Sequence, residues 1–461
     1  MPGIYWYSER VDAVTSFCGL SLLLVLGKIL RIRIRLLQRL YIPTSVIGGT
    51  LGLIILQTGG QHIPAGWTLG WSELPGFLIN IVFAALFLGV TIPPLKEIWR
   101  RSAPQLAYGQ IVAWGQYLVG MGMVLFILGP LFGLPDVFGV IVEVGFEGGH
   151  GTAAGLRETF AAFRWPEGSD YALASATVGV ISAIVGGIIL INWAARRNFT
   201  HRLKPLDQLG TGEWGGFYSP DHRPIAGRQT VPADSIDSLA FHLAVIGIAV
   251  LIGFGIKQAL IHAEQLWPSL QRSHVFSGFP LFPLCMLGGL TVQVFLDRFR
   301  RIPFVPLDHA LMQRLSGTAL DFLVVSAIST IRLEIITARW LPFLLIVTGG
   351  IIWNVFCVMF LARRVLPDAW FERAIAEMGQ SMGVTATGLL LLRAVDPENE
   401  TAAPSAFGYK QLLHEPFMGG GLWTSMAIPL VVIHGGMPVF VLSAVVIAAW
   451  LLVLRLLRKR A

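Results

Sequence analysis

EVGFEGGHGTAAGLRETF (residues 143–160) and EMGQSMGVTATGLLLLRAV (residues 377–395) are the two stretches that decide the fold. Each lies among apolar residues, yet each contains the glycines, threonines and carboxylates that a lipid-facing helix excludes. Irregular polar backbone at membrane depth must be enclosed by protein or line a watery cavity. We therefore expect segments at about 137–165 and 370–395 to enter the bilayer and return to the side they came from.

The rest of the chain has the composition of a protein solvated by lipid. Of its 461 residues, 54% are hydrophobic and 13% are charged, whereas soluble domains carry about 25% charged residues. The predicted fold is an all-α polytopic membrane protein with about eleven transmembrane helices, two re-entrant hairpins and inverted-topology repeats. The spans are expected at about 12–30, 42–58, 76–92, 105–128, 171–195, 239–257, 276–296, 315–331, 341–361, 411–434 and 437–457.

The net charge of +7 indicates membrane orientation rather than a nucleic-acid partner. Lys and Arg lie in short clusters between the apolar stretches, as they do in cytoplasmic loops. All these clusters reach the cytoplasm only if both Gly-rich segments re-enter the bilayer. This pattern predicts a retained first span, a periplasmic N-terminus and a cytoplasmic C-terminus. Three cysteines in separate apolar segments indicate neither a disulfide framework nor a zinc site.

The two halves of the chain share landmarks in the same order. PTSVIGG at 43–49 returns as PLCMLGG at 283–289, and TAAGL at 152–156 returns as TATGL at 385–389. The charge pattern gives the halves opposite orientations, which is typical of transporters with inverted repeats. The domains expected are repeat 1 at 1–195 with five spans and the first hairpin, a cytoplasmic linker at 196–237, repeat 2 at 238–436 with five spans and the second hairpin, and an extra C-terminal span within 437–461.

Two hairpins that meet near the midplane can present helix ends and unwound carbonyls to a solute. The glycines of GGHGT (residues 148–152) let the backbone approach a ligand closely, and the hydroxyls of Thr152, Thr385 and Thr387 can coordinate sodium or donate to a carboxylate. The alternative role of these small residues is close helix packing.

Several titratable residues lie in or beside the apolar segments, where an unpaired charge is costly. His150 either binds substrate or carries a coupled proton, or it ties the two arms of its hairpin together. Asp321 either coordinates sodium or pairs with a substrate amino group, or it is a partner for a nearby Arg or backbone donor. Glu143, Glu147 and Glu377 are further candidates for a buried role. The alternative for Glu143 and Glu147 is a position in water at the mouth of the hairpin, where Arg157 could neutralise either one.

The strings GGHGTAA (residues 148–154) and YIPTSVIGGTLG (residues 41–52), together with two hairpins in inverted halves, resemble the sodium/glutamate symporter family. The likeness runs to about Gly436. It implies sodium-driven uptake of glutamate across a bacterial inner membrane by alternating access. It also implies ten spans with two re-entrant loops, and a homodimer in which a transport unit moves past a fixed scaffold like an elevator. The chain departs from the family in its less Gly-rich second hairpin, its longer linker and its eleventh span.

The function predicted is therefore sodium-coupled symport of L-glutamate by a secondary transporter. The alternative is a sodium- or proton-coupled transporter of another small carboxylate. No HExxH or GxSxG motif occurs, so an enzyme is not expected, and no cofactor is expected beyond sodium as the coupling ion. The resemblance implies substrate binding at Gly148, Gly149, His150, Gly151 and Thr152, and at Gly383, Thr385, Thr387 and Gly388. The sodium ligands expected are Thr152, Asp321 and Thr385.

Overall fold

The structure of the protein, a computed structural model, describes residues 13–39, 42–59, 63, 65–90, 94–200, 223, 225–266, 276–277, 279–298, 306–396 and 400–460. Within these ranges every regular element is a helix and no strand occurs, which confirms the predicted all-α class. Seven of the described helices are long and apolar enough to cross a membrane. The chain therefore has the make-up of a multi-pass membrane protein.

The helices are numbered here in chain order. They are α1 (Ala13–Arg33), α2 (Thr44–Gly59), α3 (Ala65–Ala85), α4 (Leu95–Met123), α5 (Ile141–Phe146), α6 (Gly149–Gly155), α7 (Arg157–Ala162), α8 (Gly168–Arg196), α9 (Ser238–Leu266), α10 (Phe282–Arg298), α11 (His309–Ser329), α12 (Trp340–Phe356), α13 (Trp370–Val395), α14 (Ala403–His414), α15 (Leu422–His434) and α16 (Met437–Arg460). Short helical turns at Arg35–Arg39, Leu333–Ala338 and Arg363–Val365 are left without numbers, and π-helical or 3₁₀ turns at Val124–Leu128, Asp136–Val140 and Cys357–Ala362 join neighbouring helices.

The span predicted at 411–434 is corrected by the structure, because two helices occupy this region. The first, α14, ends at His414, and α15 begins at Leu422. Pro416 cannot donate a backbone hydrogen bond, and Gly419 and Gly420 adopt φ values of 63° and 102°. The mean hydropathy of this stretch is that of a single span and does not reveal the interruption that the Pro and Gly residues impose on the helix.

The predicted linker at 196–237 lies largely outside the described residues. The preceding helix, α8, ends at Arg196, and irregular backbone is described again at 223 and from 225 up to the start of α9 at Ser238. The assignment of a linker, and the boundaries of the two repeats, stay predictions.

Met1–Ile92, Ala154–Glu158 and Gly210–Ile331 form one compact unit, called unit 1 below. Its numbered helices are α1 to α3 and α9 to α11, three from each half of the chain. The first Gly of each repeated pair lets its helix approach the preceding helix. A Cβ built on Gly48 would lie 2.6 Å from the carbonyl oxygen of Leu23 in α1, and one built on Gly288 would collide with the carbonyl oxygen of Ala249 in α9.

The second Gly of each pair packs against a helix from the other half of the chain. A Cβ built on Gly49 in α2 would lie 2.7 Å from the Cβ of Ile328 in α11. One built on Gly289 in α10 would collide with the carbonyl oxygen of Ala84 in α3. Small residues allow such close approach of helices in membrane proteins. The two Gly pairs therefore have matching packing roles, with the halves exchanged.

Pro93–Ala153, Thr159–Leu209 and Arg332–Ala461 form the second compact unit, called unit 2 below. Its largest apolar core surrounds both Gly-rich segments and includes Tyr108 of α4, Phe146 of α5, Ala183 of α8 and Phe371 of α13. A long helix beside both segments is α8, whose 29 residues span about 43 Å at 1.5 Å per residue. The contacts that each segment makes with successive residues of α8 show the direction in which the segment runs.

Candidate functional site

The first Gly-rich segment runs inward along α8 through α5. The ring centroids of Phe138 and Tyr171 lie 5.1 Å apart, near the start of α8. Eight residues further on, Phe146 packs at Gly179, where its Cδ1 would lie 2.8 Å from a Cβ built on that glycine. Between these two contacts the segment and α8 each advance by eight residues. This arm of the segment therefore runs parallel to α8.

The chain then turns and runs back through α6. His150 Nε2 lies 2.9 Å from the hydroxyl oxygen of Thr177, and the Ser169 hydroxyl donates to the carbonyl oxygen of Ala153 at 3.0 Å. Between His150 and Ala153 the chain therefore runs back from the level of Thr177 to that of Ser169, in the first turn of α8. The turn lies at Gly149, whose φ of 67° favours glycine.

The second Gly-rich segment folds back on itself in the same way. A Cβ built on Gly379 would lie 2.7 Å from the Cα of Gly388, and one built on Gly388 would lie 2.6 Å from the carbonyl oxygen of Ala376. Residues nine apart in one straight helix are separated by about 13 Å along its axis. The helix α13 is therefore broken, and its non-helical residues are Gly383 and Val384.

This second hairpin approaches α8 from the opposite end. Its tip residue Met382 packs at Gly179, and its returning arm places Leu391 at Gly187, 2.7 Å from a built Cβ. Gly179 is also the level that Phe146 of the first hairpin reaches. Two hairpins thus come from opposite ends of one long helix and stop at the same level.

The two breaks meet directly. A Cβ built on Gly149 would collide with Cγ1 of Val384, so only glycine fits at the first tip. Val384 itself has a φ of 66° and a ψ of 169°, a region that is almost restricted to glycine and costs about 1–3 kcal/mol in other residues. Both chains therefore leave helical geometry at the same place.

A third interruption, residues 415–421 between α14 and α15, reaches this meeting point. The backbone N–H of Gly419 donates to Glu143 Oε1 at 3.3 Å, and its carbonyl oxygen accepts from the Thr152 hydroxyl at 3.4 Å. This contact joins both arms of the first hairpin to the interrupted α14–α15 pair.

Glu143, on the inward arm of the first hairpin, is completely buried and fully hydrogen-bonded. The hydroxyl of Tyr117 in α4 donates to its Oε2 at 2.5 Å, and the hydroxyl of Thr424 in α15 donates to its Oε1 at 2.6 Å. A buried carboxyl group with three donors around it is stabilised in place. Glu143 therefore anchors the first hairpin to its surroundings.

Glu377, on the inward arm of the second hairpin, pairs with a lysine. The ammonium of Lys410 in α14 donates to Glu377 Oε1 at 2.7 Å and to Gln380 Oε1 at 2.6 Å, and both charged side chains have zero exposure. The amide of Gln105 in α4 donates to the other oxygen, Glu377 Oε2, at 2.8 Å. A fully buried ion pair joins α14 to the hairpin.

Glu147, at the tip of the first hairpin, has hydrogen-bond partners at only one of its two carboxyl oxygens. Its Oε1 contacts His414 Nε2 at 2.5 Å and accepts from the amide of Gln380 at 3.2 Å. Its Oε2 is buried without a hydrogen-bond partner. Ligand atoms of Glu147, Glu377 and His414 lie within 4.8 Å of one another, and carboxylate oxygens are suitable ligands for a hard cation.

Thr385 lies just beyond the break in the second hairpin and binds the end of α14. Its hydroxyl donates to Glu415 Oε1 at 2.6 Å and lies 2.5 Å from the amide nitrogen of Gln411. Thr387 differs, because its hydroxyl donates to the carbonyl oxygen of Gly383 within the same turn. Of the two threonines, Thr385 makes the contacts to other elements.

We call the polar side chains at this place, which form separate hydrogen-bonded groups, the core cluster. Its members are Glu143, Glu147, Glu377, Gln380, Thr385, Lys410, Gln411, His414 and Glu415. These described residues include four carboxyl groups and one permanent cation, Lys410, which pairs with Glu377. Unpaired charge is costly in a dry interior. The core cluster is therefore suited to accept positive charge, as cations or as protons.

The structure brings most of the predicted site residues together. Gly148 and Gly151 are buried beside Gly149 at the first tip, and Gly388 packs between the arms of the second hairpin. Asp321 is placed elsewhere: it is an exposed residue of α11 in unit 1, beside the hydroxyl of Ser45. Its role as a sodium ligand stays a prediction.

Sequence reasoning missed the contribution of α14. The predicted span at 411–434 includes His414 and Glu415 and begins just after Lys410, although a Lys, a His and a Glu within six residues mark a segment that lipid would not tolerate. The run from Pro416 to Gly421 was a second available signal for a break. Their partners lie too far away in sequence for pairing to be read from spacing.

Comparison with known proteins identifies relatives of the chain along most of its length. A family model described as sodium/glutamate symporter matches residues 9–397. The sodium/glutamate symporter of Haemophilus influenzae is 22% identical over 410 residues, covering 87% of this chain and 91% of the relative. The sodium/glutamate symporter of Escherichia coli is 23% identical over 393 residues, covering 84% of this chain and 89% of the relative.

Proposed function

Because the chain belongs to the sodium/glutamate symporter family, a family of transporters and not of enzymes, we propose that it carries glutamate across the bacterial inner membrane together with sodium. The observation that supports this most strongly is the meeting of two oppositely directed hairpin tips at Gly149 and Val384. Broken helices that meet near the midplane create a solute site from unwound backbone.

We propose that both hairpins are re-entrant. The first would enter and leave on the periplasmic side, and the second on the cytoplasmic side, with the N-terminus periplasmic and the C-terminus cytoplasmic. The supporting contacts lie at the two ends of α8. Near its start, the rings of Phe138 from the first hairpin and Tyr171 lie 5.1 Å apart; just beyond its end, the rings of Phe199 and of Trp370 from the second hairpin lie 5.4 Å apart.

The same geometry supports inverted repeats. In unit 1, the paired glycines of α2 and α10 have matching roles with the halves exchanged, and in unit 2 the two hairpins approach α8 from opposite ends. Such exchange is expected when two structural units are related by a pseudo-two-fold axis in the membrane plane. Unit 2, which holds both hairpin tips, would be the moving transport unit, and unit 1 the scaffold of a homodimer surrounded by lipid.

Substrate would be held by backbone and hydroxyl groups at the breaks. The residues proposed are those of the GGHGT string (148–152), with Gly383, Thr385, Thr387 and Gly388 from the second hairpin. Carboxylates of the solute would accept from freed backbone N–H groups and from Thr152 and Thr385. Sodium would supply positive charge to a cluster that is rich in carboxyl groups. Thr152 and Thr385 remain its proposed ligands, with Asp321 as the third prediction.

Uptake of labelled glutamate into proteoliposomes tests this function. At fixed pH and without a membrane potential, an inward sodium gradient should drive accumulation, and an equal potassium gradient should not. A proton gradient that drives uptake without sodium would instead favour the proton-coupled alternative. A panel of unlabelled carboxylates would then identify the substrate, and failure of L-glutamate to compete would overturn the assignment.

A further inference from the structure

Lys410 is the one permanent cation of the core cluster, and residues of three helices form the space that its side chain occupies. Its ammonium is fully buried and bound by Glu377 Oε1 and Gln380 Oε1 at 2.7 and 2.6 Å. Gly109 of α4 provides the room, since a Cβ built there would lie 2.5 Å from Glu377 Oε1 and 2.6 Å from Lys410 Cε. The lysine thus fills a space shaped by α4, α13 and α14.

The atoms around this ammonium are those that a hard metal cation also prefers. Glu377 supplies a carboxylate oxygen, and Gln380 supplies an amide carbonyl oxygen. Two further buried oxygens of the same network, Gln105 Oε1 and Glu147 Oε2, have no hydrogen-bond partner. Oxygens of carboxylate and amide groups are typical ligands of hard cations. The hydrogen-bonded network that includes Lys410 therefore holds two buried oxygens beyond the two that its ammonium contacts.

The segment that carries Lys410 lies beyond the last residue that the family model matches, which is 397, because α14 begins at Ala403. The family model therefore does not cover this lysine. An ordinary buried ion pair is the simpler account. It would explain the contact with Glu377, but it leaves the unpartnered oxygens of Gln105 and Glu147 without a reason.

We infer that the ammonium of Lys410 occupies a cation site in unit 2 and acts as a tethered replacement for a sodium ion. The inference rests on the proposed function, because it concerns the ions that the transporter couples to. The lysine keeps the site positively charged when no ion is free to enter it. Removing the ammonium while keeping Glu377 should open the site to sodium from solution.

Thermal unfolding of the purified full-length protein tests this without any transport. Wild type, Lys410→Met and Lys410→Met/Glu377→Gln would be unfolded in sodium chloride and in potassium chloride of equal ionic strength. Lys410→Met should gain a sodium-dependent rise in unfolding temperature of about 3 °C over that of wild type, the size expected for a chain of this length and an ion at about 100 times its Kd. The double variant should lose this gain, because the carboxylate that binds the ion is gone.

The control is Lys257→Met in α9, which removes a lysine from unit 1 and should leave the sodium response of wild type. An equal sodium response in Lys410→Met and wild type would overturn the inference. Retention of the extra response in the double variant would also overturn it. If Lys410→Met folds only in sodium, the inference is supported; if it folds in neither salt, sodium does not replace the ammonium and the inference fails.

The number of sodium ions coupled to each glutamate provides a second readout. Reversal-potential measurements in proteoliposomes should give one more sodium ion per glutamate for Lys410→Met than for wild type. An unchanged number in an active variant would overturn the inference. Absence of sodium-driven glutamate uptake by wild type would instead count against the proposed function, and the unfolding experiment would still decide the role of Lys410.

Discussion

The two hairpin tips have nearly the same positive φ at different residues. Gly149 has a φ of 67°, which glycine adopts without penalty, and Val384 has a φ of 66°, which a β-branched residue does not favour. The first break is therefore encoded locally by its glycine. The second is imposed by its surroundings, where Thr385 binds Glu415 and the tip packs at Gly179. The tip at Gly149 bends without strain but has no room for a larger side chain. The tip at Val384 is strained, and contacts with its surroundings maintain its conformation.

The largest effect is expected where the two tips touch. Gly149→Ala would place a methyl group against Cγ1 of Val384 and force a positive φ on alanine. A displacement of about 1 Å at such a site can lower the rate by about a hundredfold. We expect initial rates of glutamate uptake to fall by that factor, with the protein still inserted in the membrane.

Two variants sharpen this test. Gly247→Ala in α9 is the matched control, because nothing lies within 4 Å of a Cβ built there, and uptake should stay near that of wild type. Gly149→Ala/Val384→Gly removes the colliding side chain and should recover part of the lost rate. If the double variant is as inactive as Gly149→Ala, the contact between the tips is not the cause.

The arms of the second hairpin are the next most sensitive place. Gly388→Ala would put a methyl group 2.6 Å from the carbonyl oxygen of Ala376, so the arms must separate. Overpacking of this kind costs about 1–3 kcal/mol, and we expect a loss of about 3 kcal/mol in the free energy of unfolding. Chemical unfolding in detergent measures it. A change no larger than that of Gly247→Ala would mean that the arms are not packed as described.

Thr385 and Thr152 provide a comparison between the two hairpins. Thr385→Val would remove the hydroxyl that donates to Glu415 at 2.6 Å and accepts from Gln411, while Gln411 still donates to Glu415 at 3.0 Å. Two hydrogen bonds of about 0.5–1.5 kcal/mol each are lost, so we expect a loss of about 2 kcal/mol in the free energy of unfolding. Thr152→Val should cost less, since the hydrogen bond that Thr152 makes within the described residues is 3.4 Å long. Equal losses in unfolding free energy would contradict the difference between the tips.

The smallest expected effect is an increase in stability. Val384→Gly removes backbone strain of about 1–3 kcal/mol, offset by the entropy that glycine loses on folding, about 0.5–1 kcal/mol. We expect a net stabilisation of about 1 kcal/mol, measured as a higher unfolding free energy. Val384→Ala keeps the strained φ and is the control. A destabilised Val384→Gly would show that the valine side chain contributes more than its backbone costs.

The sequence was informative where composition alone excludes lipid contact. Gly- and Thr-rich stretches in an apolar chain predicted the positions of both folded-back segments, and the GGHGT string predicted the family. The all-α class and the multi-pass character followed from apolar lengths. The GQSMGVTATG string predicted a break less clearly, because Val384 gives no local signal for a positive φ.

What could not be read was the pairing of buried polar groups across the chain. Glu147 and His414 lie 267 positions apart, and Gln105 and Glu377 lie 272 apart. Such contacts depend on how helices pack, and no periodic pattern records them. The division of the predicted 411–434 span is different, since Pro416 and the glycines that follow were visible but were outweighed by an apolar average.

Labelling of single cysteines tests most directly whether the two segments turn back inside the bilayer. Gly133 and Pro166 flank the first hairpin, and Asp368 and Ser405 flank the second; all four are exposed. Each would be replaced by cysteine in a background where Cys18, Cys285 and Cys357 are serine or alanine. With a membrane-impermeant reagent, Gly133→Cys and Pro166→Cys should label from the periplasmic side and Asp368→Cys and Ser405→Cys from the cytoplasmic side. Labelling of either pair from opposite faces would contradict the account, because that segment would then cross the membrane.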